Sequence, residues 1–140
     1  MNKESTERPN LYAYDFVIGI LAALSRRGWK TIVAPRGDLQ RKGDQAAAAA
    51  WQYLDHNYDR RLDIRFAIIT DRIYDESTDW RRAIGECESW GHILLRIPEW
   101  YYELDAESLE IAARRIPGEQ KMWDDLADVF VHKYEIARHS

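Results

Sequence analysis

IRFAIIT, residues 64–70, is the stretch on which the fold turns. It is rich in β-branched residues, almost continuously apolar and bounded by polar residues, with Asp71 and Arg72 following directly. Near-continuous apolar runs suit strands covered on both faces, as in parallel sheets. Two shorter runs lie on either side of it. WKTIVA, residues 29–34, is stopped by Pro35 and Gly37, and HILLRI, residues 92–97, is stopped by Pro98.

The segments around these runs have helical spacing. Residues 11–26 carry Tyr14, Val17, Ile18, Leu21 and Leu24 on one repeat, with Arg26 and Arg27 suited to the negative helix end and Gly28 to a left-handed stop. A second helix is predicted over 45–58, capped by Asp44, with five alanines followed by Trp51, Leu54 and Tyr58. A third, over 78–90, has Trp80, Ile84 and Cys87 on one face, and Asp75 or Ser77 as its cap. Asp105 caps a fourth that runs to Ile116, where Pro117-Gly118 breaks it. A last helix, 119–138, carries Met122, Leu126, Val129 and Phe130 on one stripe.

Strands separated by helices need crossovers, which are parallel and almost always right-handed. The expected fold class is therefore α/β: a small three-layer Rossmann-like domain, about three parallel strands flanked by helices, with two C-terminal helices. Residues 1–10, polar and mixed in charge, are expected to be a flexible N-terminus ahead of one domain over 11–140.

Composition narrows the function classes. A chain of 140 residues that is 46% hydrophobic and 31% charged is globular in character. One cysteine, Cys87, cannot form an internal disulfide, and no apolar leader or bilayer-length run is seen. The expectation is a cytoplasmic protein with no membrane partner. The net charge is −4, which disfavours a general nucleic-acid binder, although residues 26–42 hold six bases against Asp38.

In open parallel sheets, ligands bind beyond the carboxyl ends of the strands. That rule selects three loops. The first holds Arg36, Gly37, Asp38, Arg41 and Lys42 and leads into a helix N-terminus suited to phosphate. The second holds Asp71 and Arg72, the third Glu99 and Trp100. Arg36, Gly37, Arg41, Lys42, Arg72 and Trp100 are the candidate ligand-binding residues. Asp38, Asp71 and Glu99 are the candidate catalytic carboxylates, with Asp71 as the metal ligand and Mg²⁺ the metal considered. Asp75, Glu76 and Asp79 read as helix N-terminal acids.

Other chemistries find little footing. His56, His92, His132 and His139 form no metal-binding pair spacing, and no serine sits in a GxSxG turn. His92 is expected to make local hydrogen bonds. Cys87 is expected to be buried. The run Trp100-Tyr101-Tyr102 reads first as packing onto the sheet edge, then as an interface anchor, then as a stacking platform.

The segment IVAPRGDLQRKGDQAAAAAW, ending at Trp51, resembles Rossmann-like nucleotide-binding domains of the SLOG type, where a strand enters a glycine-rich loop, then an Asp and an alanine-rich helix. The likeness covers about a sixth of the chain and lacks the paired glycines. It implies phosphate binding at the first loop.

The leading functional expectation is binding, with hydrolysis considered, of a nucleotide or other phosphorylated small molecule at the carboxyl edge of the sheet. The alternative is a non-catalytic interaction module or homo-oligomer subunit, suggested by six tryptophans and eight tyrosines. The third is a nucleic-acid-associated protein using the 26–42 basic stretch.

Overall fold

The computed structural model describes residues 8–34, 42–70 and 78–139, which form five helices and two small sheets. In chain order they are β1 (Asn10–Leu11), α1 (Ala13–Arg26), β2 (Thr31–Val33), α2 (Lys42–Tyr58), β3 (Asp63–Ile64), α3 (Thr78–Ser89), β4 (Ile93–Arg96), β5 (Tyr101–Leu104), α4 (Ala106–Ala113) and α5 (Gln120–His139). Among the described residues no helix is long and apolar enough to cross a membrane.

α1 is the centre of the structure. Every residue from Phe16 to Leu24 is buried, as an apolar run surrounded on all sides must be. α3, α4 and α5 all pack on it. Gly19 sets the approach of α5: a Cβ there would lie 2.3 Å from the Trp123 ring, so only glycine admits the indole. Gly28 ends the helix in the left-handed region, at φ 95°. Buried residues from Leu11 to Tyr134 form one cluster, with Trp80 and Phe130 among its largest members.

The sheets differ from the parallel expectation. The larger one has the order β2-β5-β4, with β5 antiparallel to both neighbours. Its middle strand comes from Tyr101–Leu104, where the sequence suggested packing aromatics. Ile97–Trp100 is a tight turn from β4 to β5, closed by Trp100 N–H donating to the Arg96 carbonyl at 3.0 Å, with Trp100 at φ 60°. A strand that returns through a short turn must be antiparallel. Tyr102 is buried there against the helices.

IRFAIIT does not enter that sheet. Only Asp63–Ile64 pairs, in parallel with Asn10–Leu11. The next backbone groups are met by other partners: Arg65 N–H by the Leu11 carbonyl, the Phe66 carbonyl by the Trp51 indole at 3.0 Å, and Ala67 N–H by Asp79 at 3.5 Å. Ile68 is buried while Ile69 is 69% exposed, so the run is covered on one side only. Buried backbone polar groups must be paired, and here a side chain replaces a neighbouring strand. The arrangement is therefore mixed α and β, and the three-strand parallel Rossmann-like sheet is not what these strands form. Pro9 and Asn10 also belong to the fold, because the Pro9 carbonyl accepts from Asp63 N–H at 2.8 Å and Asn10 pairs with Asp63.

One consequence of the parallel expectation survives by another route. β2 and β4 both run against β5, so they run parallel to each other. Val33 and Arg96 both pair with Tyr101, which puts their carboxyl ends at one edge. The other edge holds Lys30, His92 and Asp105, where Asp105 N–H donates to the His92 carbonyl at 3.0 Å.

Candidate functional site

At the carboxyl edge of β2 and β4, most of the expected residues lie outside the described ones: Arg36, Gly37, Asp38, Arg41, Asp71 and Arg72. Lys42 opens α2. Glu99 is exposed in the turn before β5. Trp100 is half-buried, its carbonyl accepts from Ala34 N–H at 3.0 Å, and it lines a hollow of about 180 Å³ with Ala34, Arg81, Ile84, Leu95 and Tyr102. The edge thus brings Trp100 together with Arg81, a residue the sequence did not mark.

Arg81 has a structural partner. It donates from Nε at 3.0 Å and from Nη2 at 2.7 Å to one oxygen of Asp44, which is 0% exposed. Asp44 was expected as the cap of the second helix; it lies inside the first turn of α2 instead, where its negative charge also suits the helix N-terminus. A buried carboxylate requires such pairing.

The opposite edge carries the larger cavity, a cleft of about 610 Å³ between α1, α4 and the segment leading into β4. Ligand sites commonly fall between roughly 300 and 1,000 Å³. Its wall is built around one imidazole. The Tyr14 hydroxyl is 2.8 Å from His92 Nε2, and the Ser108 hydroxyl is 2.5 Å from His92 Nδ1. Each member is placed by a different rule. Tyr14 sits in the first turn of α1, where Asp15 accepts from Tyr12 N–H at 3.0 Å. His92 follows Gly91, which takes φ 79° after α3. Ser108 is fixed because Asp105, the cap of α4, accepts from its N–H at 3.0 Å.

Burial lowers the His92 pKa below its ordinary 6.5, against the opposing pull of Asp105, so the ring is neutral at pH 7. Burial raises the Tyr14 pKa above 10.0, so the phenol keeps its proton. Burial also raises the Asp15 carboxyl, although Tyr12 N–H works the other way. A neutral imidazole between two hydroxyls can be bonded in two directions. Tyr14 O–H donates to Nε2 while Nδ1–H donates to Ser108, or Ser108 O–H donates to Nδ1 while Nε2–H donates to Tyr14. In each direction one hydroxyl proton is not engaged by the imidazole.

The rest of the lining divides by character. Asp15, Asp105 and Glu107 are acidic, Arg115 is basic, and Trp90, Ile111, Ala112 and Ile116 are apolar. Trp90 is 73% exposed and Ile111 46%. Cys87 takes no part: burial pushes its thiol up to about 12. Among the described residues no three His, Cys, Asp or Glu side chains are grouped to hold a metal ion.

His92 was read as a local hydrogen-bonding residue, yet its partners lie 78 and 16 residues away. The Asp105-to-Ser108 capping interval was the only local sign of this site. Comparison with protein-family models, with curated proteins and with solved structures finds no match to this chain.

Proposed function

We propose that this protein binds a small polar organic molecule in the Tyr14–His92–Ser108 cleft, with His92 exchanging protons with the ligand through its hydroxyl partners. The observation that carries the reading is a neutral imidazole held at both nitrogens, 2.8 and 2.5 Å from two hydroxyls, on the wall of a cleft of about 610 Å³. Imidazole is the usual side chain for proton exchange at physiological pH, and burial keeps this one in its neutral, proton-accepting form. The exposed Trp90 indole supplies a flat apolar wall beside it.

The test is an NMR fragment screen on isotope-labelled protein. Binding should shift the His92 imidazole and Trp90 indole signals together, and Ser108→Ala should weaken it. If no fragment moves either signal while the protein stays folded, the reading fails.

A second reading retains the charged loops. A phosphorylated ligand, such as a nucleotide, would be held by Arg36, Arg41, Lys42 and Arg72, with Asp38, Asp71 and Glu99 as the acids and Mg²⁺ on Asp71. Its support is that the carboxyl ends of β2 and β4 meet at one edge, both beside Tyr101. Thermal unfolding with nucleotides, with and without Mg²⁺, tests it. Ligand at about a hundred times its Kd adds roughly 2.7 kcal/mol, and that gain should vanish in Arg36→Ala or Asp71→Ala. No shift with any nucleotide would dismiss it.

A further inference from the structure

We infer that the cleft selects an elongated zwitterion, with its ammonium at the Asp105 end and its carboxylate at Arg115. The inference rests on the reading that the cleft binds a ligand, and it adds that ligand's chemical class. The charges lining the cleft are separated along α4. Asp105 and Glu107 stand at its first turn, and Arg115 follows its last. From residue 107 to residue 113, the last of the helix, the rise is about 9 Å, and Arg115 stands two residues beyond it. Ile111 and Ala112 lie between, with the exposed Trp90 also lining the cleft.

Acids at a helix N-terminus and a base near its C-terminus are favourable to the helix dipole by themselves. The dipole does not account for the remaining features. Both charged ends open into one cavity, the middle is apolar, and Trp90 is left 73% exposed. Among the described residues, Asp105, Glu107 and Arg115 belong to no ion pair. Asp105 spends one oxygen on the Ser108 N–H. An ammonium has three donors, and the Ser108 and Tyr14 hydroxyls are further acceptors at that end. Arg115 offers the planar fork that suits a carboxylate. A peptide of about three residues, extended at roughly 3.3–3.6 Å per residue, has its terminal charges at this spacing.

The experiment compares four probes by NMR titration on the full chain: ω-aminooctanoate, octylamine, octanoate and trialanine. The first three share a carbon chain and differ in end charges. ω-Aminooctanoate should bind about two- to fivefold tighter than either singly charged analogue, the size expected for one exposed ion pair, and trialanine should compete with it. Arg115→Gln should reduce it to the level of octylamine. Glu107→Gln with Asp105→Asn should reduce it to the level of octanoate, and Asn keeps the helix cap. Octylamine binding as well as ω-aminooctanoate, with Arg115→Gln silent, would overturn the inference in favour of a plain cation. Octanoate binding equally well would overturn it in favour of an anion. If none of the probes binds while neutral fragments still shift His92, the zwitterion is wrong and the cleft reading stands. If no fragment binds either, both fall.

Discussion

The two ends of the β2-β5-β4 sheet treat charge in opposite ways. At the end marked by Trp100, Asp44 is fully buried and Arg81 clasps it with two hydrogen bonds of 3.0 and 2.7 Å. At the end marked by His92, the carboxylates and the guanidinium stand around an open cleft outside any ion pair among the described residues. A charge taken out of water must be matched inside the protein, whereas a charge left at the surface costs little to leave unmatched. The first end therefore spends its charges on holding α2 to α3. The second keeps its own available, beside a neutral imidazole with adaptable hydroxyl partners.

The largest expected effect tests the closed end. Arg81→Ala removes the guanidinium from a carboxylate with no exposure, and losing one partner of a buried pair costs about 3–5 kcal/mol. Urea unfolding should show that loss without a change in the cleft's response to probes. A loss below about 1 kcal/mol, the range of surface pairs, would mean the two ends do not differ in the way described.

What the sequence disclosed follows the same division between local and distant partners. The apolar run Phe16–Leu24, the left-handed stop at Gly28, the Asp105 cap and the Trp80-Ile84-Cys87 stripe are each set by neighbours within one or two helical turns, and each is present. β5 was missed because Tyr101–Leu104 follows a turn and reads as an aromatic cluster; only pairing with β2 and β4 makes it a strand. IRFAIIT misled because apolar continuity cannot tell a strand covered on both faces from a half-buried segment whose backbone bonds to a Trp51 indole. The charged loops drew attention because they are charged in sequence. The cleft did not, because Tyr14, His92 and Ser108 meet only after α1, β4 and α4 are packed.

Next in size are the hydroxyls of the open end. Tyr14→Phe and Ser108→Ala each remove one hydrogen-bond partner from the His92 ring, at about 1 kcal/mol apiece. Because both hydroxyls bond the same imidazole, their effects should not add. A chain that reverses direction loses its coherence with either deletion, so the double variant should be less destabilised than the two singles summed. Strict additivity in a double-mutant cycle would show two independent bonds rather than one chain.

The smallest effect is the dependence on pH, and it tests the open end, where His92 and Asp15 shift in opposite directions. Burial holds the folded His92 pKa below 6.5, so the unfolded chain binds the proton more readily. The stability contributed by keeping His92 neutral is complete above 6.5 and is lost as pH falls toward and through the folded value. Asp15 behaves the other way: burial raises its folded pKa above 3.8, so its contribution is greatest at low pH and is lost as pH rises through the folded value. The two windows start from different reference values, 6.5 and 3.8, which lets one variant isolate each. Between about pH 7.5 and 5.5 the protein should lose stability, and His92→Asn should flatten that slope while Asp15→Asn leaves it. Among the described residues no histidine lines the hollow beside Trp100, so Arg81→Ala should lower stability at both pH values alike. A slope that survives His92→Asn would move the near-neutral titration away from the cleft, and with it the reason for assigning proton exchange to that end of the sheet.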